Sequence, residues 1–588
     1  MSRIALRAAE KPRDVPADAF GILAVAITGT GGAGVMTAGE LLLRAAASAG
    51  FFGIMSRSSG PQIRGGEAAA FVRLSAHAIE GPGDRLDILL AMDWLNIGRF
   101  AAELPLDSNS LVIYEEANAE VPEFIRASGA RLVPVPLKKI VKSVPGGQSN
   151  VVAVGFVAAL LGLDEQPVLA AVSARFSTRD EKVAAGNVTS VRAGAHAAEV
   201  VEAPFRLPAL AESKTARWVI SGNEAVGFGA LSAGVRFVAA YPITPATEIL
   251  EWMAPRLEGL GGALVQAEDE LASINMIVGS SFAGITSMTA TSGPGLSLMS
   301  ESIGLAVASE TPVIVVDVMR GGPSTGIPAK SEQSDLGIAL HGLHGDAPHI
   351  VTAPISISDC VATTAWTVEL AERLQTAAIL LSDQALGQSR AIIEAPGANQ
   401  YFARRKTAQP GSTPYFRYAA TDDGVSPMAI PGMAGGEYVA EGLEHTEQGR
   451  PSSDADIHTM QLEKRERKLS SYAYGPFWAH FEGEGETAIL TWGSSTGAAR
   501  EARLRLSLEG VQTRLIALRL LMPAQVDALH AALAGVSRVL IVEQSFSRQF
   551  HQYLLANYRL PPEQRMLNRA GPLPIRPAEI CQIIRTWK

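Results

Sequence analysis

Three acidic side chains in succession, Glu268, Asp269 and Glu270, close an apolar run at residues 263–266. Two more apolar runs, 286–290 and 312–317, pass into polar, glycine-rich segments, Thr289 to Gly295 and Met319 to Pro328, the second carrying Arg320. A fourth run, 236–240, ends in Tyr241-Pro242-Ile243-Thr244-Pro245-Ala246-Thr247-Glu248. Polar loops at the carboxyl ends of parallel strands are where α/β sheets bind ligands, because helix N-termini and free backbone amides converge there. Each residue also has a plainer role. Thr244 or Thr247 can cap a helix through the Thr-x-x-Glu spacing, a carboxylate at 268–270 can satisfy a helix dipole, and Arg320 can form a surface ion pair. Three such segments at successive strand ends favour a site.

Other residues carry less. Gly29-x-Gly31-x-x-Gly34 follows a strand-like run and opens a helical one. A dinucleotide site also needs an acidic residue about 20 residues on to hold the ribose. Phe51 to Arg57 supplies none, so a tight turn is the expected role. Ser58 to Glu67, with Gly60-Pro61 before Arg64 and the pair Gly65-Gly66 after it, marks an irregular loop of fixed shape, plain surface or anion-binding. His341 and His344 have no third ligand nearby and read as loop histidines, so no metal site is expected in this chain. An iron–sulfur cluster usually takes four thiolates. The two cysteines, Cys360 and Cys581, therefore point to none here, and they give no disulfide framework, which suits a reducing cytoplasm.

The elements that must position these residues are α/β throughout. Residues 1–20 read as an N-terminal extension. Residues 21–205 alternate apolar strands with helices, strands apolar on both faces implying a parallel sheet covered on both sides. A Pro- and Ser-containing linker, 206–216, leads to a second α/β block, 217–395. Regularity fails over 396–469, where Pro, Gly and charges dominate, including the run Lys464 to Leu469; this reads as an inter-domain crossover. A third α/β block, 470–588, contains a helix with Ala499, Ala502 and Leu506 on one face, stopped by Gly510.

A chain of 588 residues exceeds what one hydrophobic core serves, so several domains are expected. Hydrophobic residues make up 47% and charged residues 19%, which describes a well-buried soluble enzyme rather than a disordered chain. A net charge of −9 with interspersed signs argues against a nucleic-acid surface. The N-terminus lacks the apolar core of a signal peptide. The longest uncharged apolar run, Val151 to Leu163, has 13 residues, the length of a buried helix rather than a membrane span.

These segments together resemble a known family. YPITPATE (241–248), AEDELAS (267–273), TATSGPGLSLMSE (289–301), RGGPSTGIP (320–328) and KSEQSDL (330–336) are similar to the α subunit of 2-oxoacid:ferredoxin oxidoreductases. So are Gly442-Leu443-Glu444-His445, TWGSSTG (491–497) and Val542-Glu543-Gln544-Ser545-Phe546. GTGGAGV (29–35) and GPQIRGGE (60–67) resemble the family's γ subunit, so the chain looks like a fused γ/α form over roughly residues 20–588.

The resemblance implies a γ-type Rossmann-like domain, a pyrimidine-binding thiamine-diphosphate domain and a transketolase C-terminal-like domain, with parallel or mixed sheets. It implies oxidation of a 2-oxoacid with coenzyme A to an acyl-CoA and CO2, with electrons passed to ferredoxin. A β subunit would carry the diphosphate-binding domain, Mg2+ and a [4Fe–4S] cluster, in an (αβ)2 assembly. Glu270 maps onto the carboxylate that hydrogen-bonds the cofactor's aminopyrimidine ring, with Glu268 and Asp269 as competitors. Thr244 maps onto a threonine near the substrate carbonyl, and Arg320 onto the arginine that holds the substrate carboxylate. Tyr241, Pro242, Thr291 and Ser292 would line the cofactor. Gly31, Gly32, Gly60, Arg64, Gly65 and Gly66 would help form the coenzyme A site.

Two positions depart from the family pattern. Ala246 replaces a serine, and Ala329 stands where threonine is common in the substrate pocket. The subclass most resembled is the 2-oxoglutarate one, pyruvate next. A non-redox thiamine enzyme would need a diphosphate- and Mg2+-binding motif in this chain, and none is found. A nucleotide-binding module using Gly29–Gly34 would need the missing ribose carboxylate.

Overall fold

The computed structural model describes residues 20–60, 66–118, 120–177, 181–210, 216–411 and 414–587. Three sheets organise it. Strands β1 (Leu23–Thr30), β2 (Phe52–Ser59), β3 (Glu67–Ser75), β4 (Ile88–Ala91), β5 (Leu111–Glu115) and β6 (Arg131–Val135) come from the first block. The second gives β7 (Arg217–Ser221), β8 (Phe237–Ala240), β9 (Ala263–Gln266), β10 (Ser287–Thr291), β11 (Val313–Met319), β12 (Ile350–Thr352), β13 (Ala377–Asp383) and β14 (Arg390–Glu394). The third gives β15 (Ala479–Glu482), β16 (Thr487–Trp492), β17 (Arg514–Leu518), β18 (Leu520–Met522), β19 (Arg538–Glu543) and β20 (Glu563–Asn568).

Sheet membership crosses the block boundaries. The first sheet runs β6-β5-β4-β1-β3-β2-β14-β7, so the outermost strands of the second block complete it. Its β6-β5-β4-β1 half is parallel, but β1-β3-β2-β14-β7 pairs antiparallel, where the expectation was a parallel sheet. The reason is local. β2 and β3 are joined directly through the 60–66 segment, and so short a connection permits only antiparallel pairing. β2 itself still follows β1 through the helix Val35–Ser48 and runs parallel to it, with β3 inserted between the two. Phe51 to Arg57 contains no acidic residue that could hold a ribose.

The second sheet runs β18-β12-β13-β11-β10-β8-β9 and is parallel except for β18, contributed by the third block. β11 and β13 are buried along their whole length, which suits runs that are apolar on both faces. The apolar core continues unbroken from this sheet into the third, joining Trp366 and Ile350 to Trp492, Leu518 and Phe550. The first block locks onto the third through Arg73, which grips Glu501 at 2.9 and 3.1 Å in a nearly enclosed pair.

The 396–469 segment holds the helix Ala455–Ser470, and its charged run is not solvated. Lys464 and Lys468 are enclosed and meet Glu310 at 2.5 and 3.2 Å, while Arg417 donates to the Glu310 carbonyl at 2.7 Å. Burial opposes charge on Glu310, yet Lys468, Lys464 and Arg417 together hold its pKa below the usual carboxylate range. Burial also pushes Lys468 down to about 8. Among the described residues no helix is long and apolar enough to cross a membrane.

Candidate active site

The carboxyl ends of β8, β9, β10 and β11 converge on one face of the second sheet, and the three acidic residues separate there. Glu268 is exposed. Asp269 is also exposed and caps the helix Glu270–Phe282, its side chain accepting from the Ala272 amide at 2.7 Å. Glu270, the first helical residue, turns inward and is only 7% exposed.

The neighbouring helix, Gly293–Ala308, explains how Glu270 fits. Its first turn carries Gly293 and Gly295, both at close approaches. A Cβ on Gly295 would overlap the Thr291 hydroxyl and stand 2.7 Å from Cγ of Glu270. A Cβ on Gly293 would stand 2.6 Å from Oδ2 of Asp335. The two glycines thus make room for two carboxylates against one helix N-terminus, where the dipole favours negative charge. Thr291 and Ser292 are fully buried. Ser292 is the N-cap but makes no capping bond, and its Oγ and that of Thr289 lack hydrogen-bond partners among the described residues. Glu270 likewise makes no side-chain hydrogen bond or ion pair to any described residue. Buried polar atoms without partners are rare, and several together mark a place prepared for a polar ligand.

Arg320 follows β11 and is 7% exposed. Its Nη1 donates to the Thr244 carbonyl at 2.7 Å, while Nε has no described partner. That bond ties the β11 loop to the β8 loop. The β8 loop is held from its other side by Asn223, fully buried, whose Nδ2 donates to the Pro245 carbonyl at 2.9 Å. Thr244 itself is exposed, as is Tyr241 at 40%, and Pro242 is half-buried. Thr244 does not cap a helix. The helix Thr247–Leu257 begins later, with Ala246 at its N-cap and no capping side chain. Glu248 instead pairs with Arg57 of the first block.

Asp317 and Asp335 were not singled out by the sequence reading. Asp317 lies on β11 opposite Thr291 of β10 and is fully enclosed with both oxygens unpartnered among the described residues. Burial and the Asp335 charge push its pKa well above the carboxylate range, with Arg320 opposing. Burial, with Glu332 adding, pushes Asp335 up to about 6 against the same arginine. Their signal in the sequence was thin: Asp317 stands three residues before Arg320, and Asp335 is the last acidic residue of the KSEQSDL motif.

Ala329 belongs to the loop that Arg320 opens, next to Lys330, whose carbonyl accepts from the Gly321 amide at 3.1 Å. It lines a cavity of about 160 Å³ between the three blocks, walled also by Arg57, Arg73, Lys330 and Arg576. Among the glycine loops of the first block, Gly31 donates to the Gly66 carbonyl at 2.5 Å and Gly60 to the Glu67 carbonyl at 3.2 Å. Gly32 adopts a φ of 104°. Arg64 and Gly65 lie outside the described residues. No group of three metal-ligating side chains occurs among the described residues, His341 and His344 included. Cys360 and Cys581 are buried in separate helices, Asp359–Leu374 and Pro577–Arg585.

Comparison with known proteins agrees with this architecture. Residues 228–464, spanning the converging loops, match the family described as pyruvate flavodoxin/ferredoxin oxidoreductase, thiamine diP-bdg. Residues 24–197 match pyruvate ferredoxin/flavodoxin oxidoreductase. A solved 2-oxoglutarate:ferredoxin oxidoreductase from Magnetococcus marinus, with 2-oxoglutarate, coenzyme A and succinyl-CoA bound, superposes with a TM-score of 0.89 at 35% identity, covering 96% of this chain and 99% of that one. The 2-oxoacid:ferredoxin oxidoreductase subunit alpha of a Sulfolobus species is 29% identical over 89% of this chain and 90% of its own length. The 2-oxoglutarate synthase subunit KorA of Methanothermobacter marburgensis is 33% identical over 64% of this chain and all of its own. The chain belongs to the 2-oxoacid:ferredoxin oxidoreductase family, among its α subunits.

Proposed function

We propose that this chain is the pyrimidine-binding subunit of a thiamine-diphosphate enzyme that oxidises a 2-oxoacid, 2-oxoglutarate foremost, to its acyl-CoA and CO2 with ferredoxin as acceptor. The observation that carries the reading is the buried, unpartnered Glu270 beside Gly295 and Thr291, within a fold that superposes on an oxidoreductase of 2-oxoglutarate.

The residues present fit the cofactor's aminopyrimidine half. Glu270 offers a carboxylate for a ring nitrogen, and Gly295 leaves a cradle that any side chain would fill. When bound, thiamine diphosphate supplies the carbanion chemistry of decarboxylation. Glu270 holds and moves one proton at its carboxylate, and burial raises the value of that single charge-assisted bond. Arg320 orients the substrate carboxylate through its planar donor face, and its tie to the Thr244 carbonyl keeps Thr244 beside the reacting carbonyl. Thr291, Ser292, Tyr241 and Pro242 form the walls. Gly31, Gly32, Gly60, Arg64, Gly65 and Gly66 shape the coenzyme A side. Ala329 itself offers the neighbouring cavity no hydroxyl.

A second subunit completes the site with diphosphate anchoring, Mg2+ and a [4Fe–4S] cluster, in an (αβ)2 assembly in the cytoplasm. The test is purification of the chain alone and with a cysteine-rich partner subunit. The lone chain is expected to be colourless and inactive, and the complex brown and thiamine-dependent. Oxidation of substrate by the lone chain would refute the shared site.

A further inference from the structure

Arg320 stands in an unusual electrostatic setting for a residue that receives an anion. Two acids flank it, and neither forms a hydrogen bond to it. Asp317 has no described partner for either oxygen, Asp335 none for Oδ2, and Arg320 none for Nε. A third acid, Glu332, lies 3.1 Å from where a Cβ on Gly321 would be and is only 8% exposed. An arginine stays charged under all ordinary conditions, so it cannot adjust to an incoming carboxylate by losing a proton. The acids can. Two unpartnered carboxylates in a common low-dielectric pocket do not both ionise, because each charge raises the cost of the other.

We propose that Asp335 is a positioning residue that exchanges one proton with solvent as the substrate carboxylate arrives, keeping the net charge around Arg320 constant. In the empty site Asp335 is ionised and balances the arginine. When the substrate anion takes its place beside Arg320, Asp335 takes up a proton from water and becomes neutral, so one negative charge replaces another. Asp317, more deeply enclosed, stays protonated throughout and serves as a neutral wall. This inference rests on the assignment of Arg320 to the substrate carboxylate.

Three observations support Asp335 over its neighbours. It packs against Gly293, so its charge sits at the N-terminus of the Gly293–Ala308 helix, where an ionised form is tolerated. Its pKa, pushed up to about 6 by burial, by Glu332 and against Arg320, lies where one further negative charge carries it across neutrality. Glu332 is raised by burial too, but the amides of Gly571 and Gly322 stabilise its charged form. The groups facing Asp335 are thus Arg320 and Asp317 from the β11 side and Glu332 from its own loop.

The sign follows. Below about pH 6 the proton is already present and substrate binds without proton uptake. Above it, each binding event takes up a proton, so KM rises with pH, by at most tenfold per pH unit. The substrate's own carboxylates are ionised over this range and contribute no slope.

The experiment uses the chain assembled with its partner subunit and measures KM for 2-oxoglutarate from pH 5.5 to 8.5. The wild-type KM should rise severalfold to tenfold per unit above about pH 6. Asp335→Asn should flatten that profile. Asp317→Asn, one uncharged group for another, should retain it, which covers the case in which Asp335→Asn does not assemble. A flat wild-type profile overturns the proposal, as does loss of the slope in Asp317→Asn with its retention in Asp335→Asn. Absence of any 2-oxoacid-dependent acceptor reduction would instead refute the functional reading. Normal turnover with a flat KM refutes the proton exchange alone.

Discussion

Two glycine-rich strand-to-helix turns, one after β1 and one after β10, are filled in different ways. In the first, after β1, the chain fills its own loop. Asp93 accepts from the Thr30 amide at 3.0 Å and hydroxyl at 3.1 Å, Gly31 donates to Gly66, and the space a Cβ on Gly34 would need is taken by Asn150. In the second, after β10, the glycines admit Glu270 and Asp335 to the helix N-terminus, while Thr289 and Ser292 remain without described partners. Glycine spacing is similar in both, and each strand leaves a buried threonine hydroxyl unpartnered among the described residues, Thr28 in the first and Thr289 in the second. Of the two, only the second adds an unpartnered N-cap serine and admits carboxylates to the helix N-terminus. What distinguishes a ligand site is therefore which side chains lean on the glycines and whether they are already satisfied.

The sharpest way to break this comparison is Glu270→Gln in the assembled complex. Turnover should fall by about 10²- to 10⁴-fold, the usual weight of a positioned proton-transfer group, with assembly intact by size-exclusion chromatography. Near-normal turnover would remove Glu270 from the chemistry. Gly295→Ala comes next. The added methyl must displace Thr291 and Glu270, so stability should drop by about 1–3 kcal/mol and turnover should drop with it, measured by thermal melting and steady-state assay.

Gly34→Ala sharpens the contrast from the other side. Its φ of 80° and the Asn150 contact predict a stability loss of about 1–3 kcal/mol. Turnover per folded molecule should hold, because Gly34 is not among the glycines assigned to the coenzyme A side and the Thr30 and Gly31 amides are bonded within the chain. A catalytic defect without a stability defect would show the two turns to be alike. Ala329→Thr carries the smallest effect. A hydroxyl worth up to about 1.5 kcal/mol in a hydrogen bond should shift the ratio of 2-oxoglutarate to pyruvate turnover by no more than about tenfold. A fixed ratio would detach the 160 Å³ cavity from substrate choice.

Much of this was legible in the amino-acid order. Buried strands announced themselves as unbroken apolar runs, because a strand covered on both faces has no polar side to show. β11 and β13 are of this kind. The candidate site loops followed from their place at strand ends, and the two-proline loop, the acidic triplet and the arginine segment lie at the same end of the second sheet. The choice of Glu270 over its two neighbours rested in the sequence on family spacing, and burial separates the three in the fold.

Other features were hidden because they depend on partners distant in sequence. The charged run 464–469 read as part of an inter-domain crossover, and nothing local showed that Lys464 and Lys468 are enclosed against Glu310, more than 150 residues away. Truncating one member of such a cluster would strand a buried charge, which no local pattern foretells. β3 and β14 run against the other strands of the first sheet, and the residue types of a strand carry no sign of its direction. Asp317 looked like one polar residue closing a strand.

The amino-acid order by itself determined periodicity, turn chemistry and family, which are local or cumulative properties carried by residue types. Tertiary structure alone decided which polar groups are satisfied. Satisfaction is a property of pairs brought together across the chain, and it is what separates a glycine turn filled by its own chain from one that leaves a capping serine and carboxylates without described partners.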